Sequence, residues 1–404
     1  MKSVYFSFVS EYPKNVVISQ VVEYLEMLDE FEVHFNLVFL IRLGAYISGF
    51  SQLENYRELI KTKIKGDISF FPITRKTNRT GVFFSVFILL FKLFKYRKYD
   101  KLIIHTRGGF GADVARVLKK FYSNIHFVYD IRGDVAGEFD YHAKKNNVPK
   151  EIRLKKLEED KKWQTKITSS ADKIFCVSNV LKNMVEKNYS ADENKITVIP
   201  CLADHRKFFF DSQIRERIRK EYGIEDKFVF VYPGGIGHWH YSDKVFSVVR
   251  DLNEVHKNIF FFILTPHVKE AEEYAAKYLL PGTFLIKTAT REEVPEILMA
   301  SDMGLLLREH HKLNEVAAPT KFAEYLMTGL PVMISEDIGD YSGFINESKF
   351  GCVLGHNCPK EDYIQSFNQF VSEETDRDKI SGIATESFAK IKYARIMKEI
   401  YTSI

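Results

Sequence analysis

Short apolar runs alternate with amphipathic stretches along most of this chain, and this rhythm constrains its fold more than any other feature. After an N-terminal run, MKSVYFSFVSEYPKN, ten further β-rich runs follow in the order VHFNLVFL, DKLIIHT, IHFVYDI, KIFCVS, ITVIP, KFVFVYPG, IFFFILT, TFLIK, MGLLL and PVMIS. Helical patterns lie between most of them, for example at residues 18–29, 112–121 and 291–300. Apolar strands that alternate with helices are typical of parallel sheets covered on both faces. The sequence therefore predicts an α/β fold.

The length of the chain indicates more than one domain. A chain of 404 residues is longer than one hydrophobic core usually supports, and CLADHRKFFFDSQIRERIRKEYGIEDK interrupts the rhythm once. We predict a doubly wound, Rossmann-like domain at residues 1–200, a linker at 201–216, a second such domain at 217–390, and a C-terminal helix at 391–404 as a candidate to pack back on the first domain. The two domains would face a cleft, where the carboxyl ends of the strands would hold ligands.

Cysteine usage and the apolar runs favour a cytoplasmic protein. The four cysteines, at positions 176, 201, 352 and 358, are too scattered for a disulfide framework and show no paired zinc-ligand spacing. The N-terminus lacks the long apolar segment and cleavage site of a signal peptide. The longest apolar run, which ends at Lys92, is shorter than the roughly 20 residues that span a bilayer. We therefore expect no transmembrane helix.

The net charge of +4 is distributed unevenly. Residues 61–101 contain eleven basic residues and two acidic ones, next to a helical pattern at 82–94 that is rich in phenylalanine and leucine. This segment is compatible with an anionic membrane surface as a partner, and hence with peripheral attachment to the inner face of the cytoplasmic membrane. An ordinary core-packed helix with a solvated basic end explains the same pattern. No nucleic-acid-binding motif accompanies the basic residues, so we do not expect nucleic acid as a partner.

A glycine-rich loop follows the first predicted strand of the second half, in the segment VYPGGIGHWHYSDK. Gly234, Gly235 and Gly237 would let backbone amides approach a ligand closely. His238 and its neighbours would stand at the tip of the turn, where large side chains indicate a binding role. A tight turn without a ligand accounts for the glycines nearly as well.

A helix predicted from Thr320, ending before Gly329, has two chemically different faces. Phe322 and Leu326 lie on one side, whereas Lys321 and Glu324 lie on the other. The N-terminus of this helix would favour a diphosphate, Lys321 would add positive charge, and Glu324 could accept hydrogen bonds from a ribose. The alternative is a surface ion pair between two residues three positions apart.

Several segments in their order along the chain resemble the retaining glycosyltransferases of family 4, which have the two-domain GT-B fold. They are FVYDIRGDVAGEF, ADKIFCVSNVLKNMV, ITVIPCLADHRKF, VYPGGIG, TREEVPEILMASDMGLLL, AAPTKFAEYLMTGLPVMIS and IGDYSGFI. The family commonly has two glutamates separated by seven residues. The second corresponds to Glu324, and Val316 stands in the place of the first.

The resemblance implies roles for particular residues. It implies that the nucleotide-sugar donor contacts Gly234, Gly235, His238, Thr288, Pro319, Thr320, Lys321 and Glu324. It also implies catalytic roles for His105, Arg308, Lys321 and Glu324, and an acceptor side that contains Asp130, Arg132 and Glu138. A buried structural ion pair between Asp130 and Arg132 is the alternative for those two residues.

The resemblance further implies transfer of a sugar, with retention, from a nucleoside-diphosphate donor to a lipid-linked or oligosaccharide acceptor in capsule, O-antigen or exopolysaccharide biosynthesis. Lys321, Arg308 and the helix N-terminus would stabilise the departing diphosphate, so we expect no metal and no other cofactor. Two alternatives stay open. One is a sugar-nucleotide epimerase or hydrolase on the same fold, and the other is a non-catalytic partner that binds a nucleotide sugar or a glycan.

Overall fold

The computed structural model describes residues 2–13, 15–73, 79–237 and 241–404, which divide into two compact units. The first unit comprises Met1–Pro200 together with Lys390–Ile404, and the second comprises Cys201–Ala389. Each unit contains one parallel β-sheet and its flanking helices.

The first unit contains a seven-stranded sheet in the order β3-β2-β1-β4-β5-β6-β7. All neighbouring strands in it are parallel. The strands are β1 (Ser3–Val9), β2 (Phe35–Arg42), β3 (Ile68–Ile73), β4 (Lys101–Arg107), β5 (Ile125–Ile131), β6 (Lys173–Cys176) and β7 (Ile196–Val198). The order reverses direction between β1 and β4. In doubly wound sheets, ligands bind beyond the carboxyl ends of the strands at this switch point.

The helices of the first unit lie between these strands, and one further helix comes from the end of the chain. They are α1 (Asn15–Val17), a π-helix (Ile18–Val22), α2 (Glu23–Glu30), α3 (Leu43–Ser48), α4 (Phe50–Lys61), α5 (Arg79–Phe94), α6 (Gly109–Leu118), α7 (Val135–Lys145), α8 (Lys150–Ser170), α9 (Asn179–Tyr189) and a 3-10 helix (Glu193–Lys195). The last helix of the chain, Lys390–Ser403, packs on α2 and belongs to the same unit.

The second unit contains a six-stranded parallel sheet in the order β10-β9-β8-β11-β12-β13, with its switch point between β8 and β11. The strands are β8 (Phe228–Pro233), β9 (Ile259–Leu264), β10 (Phe284–Lys287), β11 (Met303–Leu306), β12 (Val332–Ser335) and β13 (Gly351–Leu354). The helices are α10 (Ser212–Tyr222), α11 (Ser242–Val255), α12 (Val268–Tyr278), α13 (Glu293–Ala300), α14 (Lys312–Glu315), α15 (Thr320–Met327), α16 (Tyr341–Ser348), α17 (Lys360–Ser372) and α18 (Arg377–Phe388). The final helix, Lys390–Ser403, is α19.

The predicted α/β class, with parallel sheets, is confirmed. Every residue of β11 and β12 is buried, and since successive side chains point to opposite faces, both faces of the sheet are covered. Residues 201–216, which we expected as a linker, lie within the second unit. There Ala203 forms a parallel bridge with Ala389, and α10 begins at Ser212.

The sequence analysis missed β3 and β13, which lie at sheet edges. β3 contains Pro72, which lacks the amide donor of a central strand, and the apolar residues of β13 lie between Gly351 and Gly355. Proline and glycine both weaken a strand pattern, so neither segment is predicted as a strand from the sequence.

α5 buries one face and exposes phenylalanines on the other. Its inward side chains are Val82, Val86, Leu89 and Leu93, all at most 8% exposed. The exposed side chains are Phe83, Phe84, Phe87, Phe91 and Phe94, whose exposed fractions run from 44% to 70%. The buried face therefore agrees with the interpretation of α5 as an ordinary core-packed helix. The exposed phenylalanines differ from the polar outer face that such a helix usually has. None of the helices in the described ranges has the length and apolar character to span a membrane.

The contact between α15 and β11 is unusually close. A Cβ atom at Gly304 would lie 2.6 Å from the ring of Tyr325, which is fully buried and donates a hydrogen bond from its hydroxyl to the Leu305 carbonyl at 3.2 Å. Glycine at 304 therefore lets α15 approach the strand, and this contact helps to position the N-terminal residues of α15.

We expect Gly304→Ala to destabilise the second unit by about 1–3 kcal/mol, because the new methyl group overpacks a rigid aromatic contact. Urea unfolding followed by circular dichroism measures this change. Gly343→Ala is the matched control, since Gly343 lies in α16 with no atom near the Cβ position, and we expect it to be neutral or stabilising by about 0.5–1 kcal/mol. Equal stability of the two variants would contradict the packing argument.

Candidate functional site

The candidate donor site lies at the carboxyl edge of the second sheet, at its switch point. β8 ends at Pro233 and is followed by Gly234, and β11 is followed by Arg308 two residues after its end. Lys321, in the first turn of α15, extends into this position with its Nζ 4.2 Å from the centroid of the Tyr232 ring. Residues from three separate segments therefore meet at one point.

Gly234 lies close to the end of the Lys321 side chain and has a backbone conformation that favours glycine. Its φ angle is +143°, which side chains rarely tolerate, and a Cβ atom there would lie 2.9 Å from the Cε of Lys321 and even nearer to the Nζ. The Gly234 amide donates to the Leu264 carbonyl at 2.8 Å, which holds the turn against β9. The glycine thus provides space for the lysine as well as freedom for the backbone.

The surroundings of Lys321 disfavour the charged form of its side chain. The pKa of Lys321 is lowered to about 7, first because surrounding protein removes the ammonium from water and second because Arg308 is near, while Glu324 acts in the opposite direction. Desolvation also lowers the pKa of the Arg308 guanidinium. Two cations that share a desolvated place favour a ligand with several negative charges. A diphosphate has that charge.

The backbone around Arg308 is fixed by Ser335, at the end of β12. The Arg308 amide donates to the Ser335 Oγ at 2.9 Å, and this hydroxyl donates to the Arg308 carbonyl at 3.1 Å. Ser342 in turn donates from its Oγ to the Ser335 carbonyl at 2.8 Å. The segment after β11 is thereby attached to the next strand, which orients Arg308. The sequence analysis did not identify Ser335 or Tyr232, although both lie at or next to strand ends.

Other predicted donor residues lie at the same edge of the sheet. Pro319 is the N-cap of α15 and Thr320 is its first residue. Gly235 accepts a hydrogen bond at its carbonyl from the Tyr232 hydroxyl at 2.9 Å, and Thr288, just after β10, donates to the Thr265 carbonyl at 3.1 Å. His238 lies outside the described residues.

Val316, in the place of the first family glutamate, is buried and 6% exposed. It lies just after α14, in the segment that leads to α15. An apolar side chain therefore occupies a position where the family has a carboxylate.

His105, Asp130 and Arg132 form a second cluster, near the carboxyl ends of β4 and β5 in the first sheet. The Nδ1 of His105 is 2.8 Å from the hydroxyl of Tyr401 in α19, and its Nε2 is 3.5 Å from an Asp130 oxygen. The Arg132 Nε is 3.3 Å from the same Asp130 oxygen, so these two residues form the ion pair that we considered as an alternative. The cluster borders a small, partly open pocket whose lining includes Gln20 and Met397.

Asp130 is a carboxylate at all physiological pH values. Burial raises its pKa, but Arg132, His105 and Arg107 outweigh this effect and hold the pKa of Asp130 at about 2. Glu138 lies exposed in the first turn of α7, and among the described residues no hydrogen bond or ion pair joins it to His105 or Asp130.

Arg107 is a buried cation that the sequence analysis missed. It is the last residue of β4, at the switch point of the first sheet, and is 5% exposed. Its Nε donates to Glu11 at 3.0 Å and its Nη2 donates to Gln20 of the π-helix at 2.8 Å. Its place at the carboxyl end of a predicted strand was the signal that could have identified it.

Residues 48–207 match the model of Glycosyltransferase Family 4. The protein TuaH of Bacillus subtilis, named as a teichuronic acid biosynthesis glycosyltransferase, is 24% identical over 221 residues, which cover 54% of this chain and 52% of TuaH. The match thus spans about half the length of that relative.

Two solved structures are similar over the whole chain. A glycosyltransferase from Rickettsia africae has a TM-score of 0.71 at 15% identity, with 99% of this chain and 98% of that chain covered. Anabaena HepE in complex with UDP has a TM-score of 0.71 at 12% identity, with both chains covered completely at 100%. At these identities the likeness shows the fold. The predicted fold class, two parallel-sheet domains of the GT-B type, is therefore confirmed.

Because the environment of Lys321 disfavours its charge, we expect Lys321→Met to raise the free energy of unfolding near pH 7. A lysine whose pKa is lower in the folded chain than in the unfolded chain destabilises the fold below the folded pKa, here about 7, and this penalty disappears as the pH rises towards about 10.4. The gain from the substitution should therefore be about 2–3 kcal/mol larger at pH 6.5 than at pH 9.

Urea unfolding at the two pH values measures this difference. Lys312→Met is the control, since Lys312 is exposed in α14 of the same unit and should show no such gain. A wild type as stable as Lys321→Met at pH 6.5 would show that the ammonium is well compensated in the unliganded protein.

Proposed function

We propose that this protein is a retaining glycosyltransferase that moves a sugar from a nucleoside-diphosphate donor to a glycan or lipid-linked acceptor. The observation that carries the proposal is the meeting of Lys321, Arg308 and Gly234 at the switch point of the second sheet. The family match at residues 48–207, and the presence of UDP in the Anabaena structure of the same fold, support the donor class.

Lys321 and Arg308 would bind the donor diphosphate and stabilise the charge that develops on it. As the bond from the anomeric carbon to the diphosphate oxygen breaks, the leaving group gains negative charge. Cations already desolvated before the reaction interact more strongly with that charge than hydrated cations would. Diphosphate binding would also offset the desolvation of the Lys321 ammonium, because the negative charge of the diphosphate would stabilise the charged form of the lysine.

The residues around the diphosphate would complete the donor site. The N-terminus of α15, which begins at Thr320, would favour the diphosphate as helix N-termini favour anions, and Glu324 would accept hydrogen bonds from the ribose hydroxyls. Gly234 and Gly235 would let the backbone approach the phosphates, and Thr288 would lie near the base. With cations in these places, the transfer would need no metal.

Retention would follow from attack on the face from which the diphosphate departs. The acceptor hydroxyl oxygen bonds to the anomeric carbon, the carbon–oxygen bond to the diphosphate breaks, and the hydroxyl proton passes to the departing diphosphate oxygen. Asp130 and Arg132 would serve on the acceptor side, and His105, oriented by Tyr401 and Asp130, would have a catalytic role near the donor sugar.

A surface glycan built on a membrane lipid is the acceptor that we favour. The exposed phenylalanine face of α5 is followed directly by three exposed cations, Lys95, Arg97 and Lys98, and the Arg97 guanidinium lies 3.6 Å from the centroid of the Phe94 ring. Phenylalanines beside cations suit an interface of acyl chains and anionic headgroups. The protein would thus attach peripherally to the inner face of the cytoplasmic membrane.

We expect one of UDP, GDP, ADP and CMP to raise the melting temperature of the wild type by several degrees, since a ligand at 100 times its Kd stabilises by about 2.7 kcal/mol. Lys321→Met and Glu324→Gln should lose this shift, whereas the exposed Lys312→Met should retain it. A thermal-shift assay measures all four proteins.

The absence of any nucleotide shift in a folded wild type would contradict the donor site. A second experiment incubates the protein with a sugar nucleotide of the nucleotide that binds, without an acceptor, and follows the donor by NMR. This experiment distinguishes the proposed transferase from the epimerase or hydrolase alternative. Those enzymes would convert the donor alone.

We expect the double variant Phe87→Ser, Phe91→Ser to bind liposomes that contain anionic phosphatidylglycerol at least about tenfold more weakly than the wild type, because each exposed ring contributes apolar area to the interface. Phe121→Ser is the control, since Phe121 is 61% exposed in the same unit but lies outside the α5 face. Co-sedimentation measures binding. Equal binding to neutral and anionic liposomes would contradict the membrane proposal.

A further inference from the structure

Three potential metal ligands follow three neighbouring strands of the second sheet. His310 follows β11, Asp337 follows β12 and His356 follows β13, so all three lie at the carboxyl edge of the sheet. One ligand atom from each lies within 4.8 Å of the others. In the described part of the chain, these residues are brought together by strand order, although they are distant in sequence.

The separations fit a single small cation. The Nε2 of His356 is 3.1 Å from an oxygen of Asp337, and the rings of His310 and His356 have centroids 3.8 Å apart with planes inclined by 58°. Two ligands on one tetrahedral Zn²⁺, with bonds of about 2.0–2.2 Å, lie roughly 3.3–3.5 Å apart. Modest side-chain rotations therefore suffice to form the site.

A second carboxylate supports this arrangement. The Glu336 Oε1 accepts a hydrogen bond from the His356 amide at 2.5 Å and lies 3.8 Å from the His356 Nε2. The two carboxylates carry negative charge towards the two imidazoles, which favours a cation. The Asp337 and Glu336 side chains are 59% and 44% exposed, so water can complete the coordination shell.

We propose that His310, Asp337 and His356 bind one divalent cation of the Zn²⁺ class. Two imidazoles and a carboxylate suit Zn²⁺ better than Mg²⁺ or Ca²⁺, which prefer oxygen ligands alone. The ion would join the segments after β11, β12 and β13, and so brace the chain between Arg308 and α15. This metal site goes beyond the proposed sugar transfer, which would need no metal. The proposal of the site does not depend on the proposal of the transfer.

Isothermal titration of the untagged, metal-free full chain with Zn²⁺ tests the site. We expect one Zn²⁺ per chain, and at least about tenfold weaker binding for His356→Ala and for Asp337→Asn. Asp337→Asn changes an exposed side chain and guards against misfolding of the first variant. Titration with Co²⁺ should add a visible absorption band in the wild type, which both variants should lose.

His256→Gln is the matched control. His256 belongs to the same unit but precedes β9, at the amino edge of the sheet, where its Nε2 contacts Asn368 at 2.7 Å. We expect this variant to bind Zn²⁺ as the wild type does. The proposal is overturned if the wild type takes up no stoichiometric Zn²⁺, or if His356→Ala and Asp337→Asn bind as tightly as His256→Gln. The His356–Asp337 contact would then be a hydrogen-bonded ion pair only.

Discussion

A lysine ammonium held largely out of water, against a glycine and a tyrosine ring, is the interaction on which the second unit's site depends. Gly234 leaves room for the end of the Lys321 side chain beside the strand, and Gly304 leaves room for the Tyr325 ring of α15 against the sheet. The two glycines thus allow the ammonium of Lys321 to lie at the end of the strand. In the donor site that we propose, this charge would be preorganised for an anion at a cost in stability without one, which is a common compromise between stability and function.

The sequence predicted the parallel sheets better than it predicted the contacts between side chains at their carboxyl ends. Strands β4, β5, β8 and β9 are long and apolar, so their patterns are unambiguous, whereas the edge strand β3 carries a proline and the edge strand β13 starts at a glycine. Lys321 and Glu324 were identified from helical spacing. Tyr232 and Ser335 were not, because a cation–ring contact and a serine bridge between strands depend on tertiary packing, which periodicity does not contain.

The cluster of His105, Asp130 and Tyr401 shows the same limit in the first unit. The resemblance suggested a role for His105 and the motif YDIRG drew attention to Asp130 and Arg132, but nothing local connects them with a tyrosine near the end of the chain. The cluster forms because β4 pairs with β5 and α19 packs on α2, and neither contact is visible in a local motif. A functional assignment from local motifs alone therefore omits the residue that orients the histidine.

The return of α19 to the first unit has a consequence for biosynthesis. Lys390 forms a buried ion pair with Glu23, and Tyr401 contacts His105, so the first 200 residues cannot complete their core or their polar cluster when they leave the ribosome. They must wait until the whole second unit has been translated. α19 thus completes the first unit only after residues 201–389 have been translated, and a ribosome that stops before residue 390 releases a first unit that lacks the buried Lys390–Glu23 ion pair.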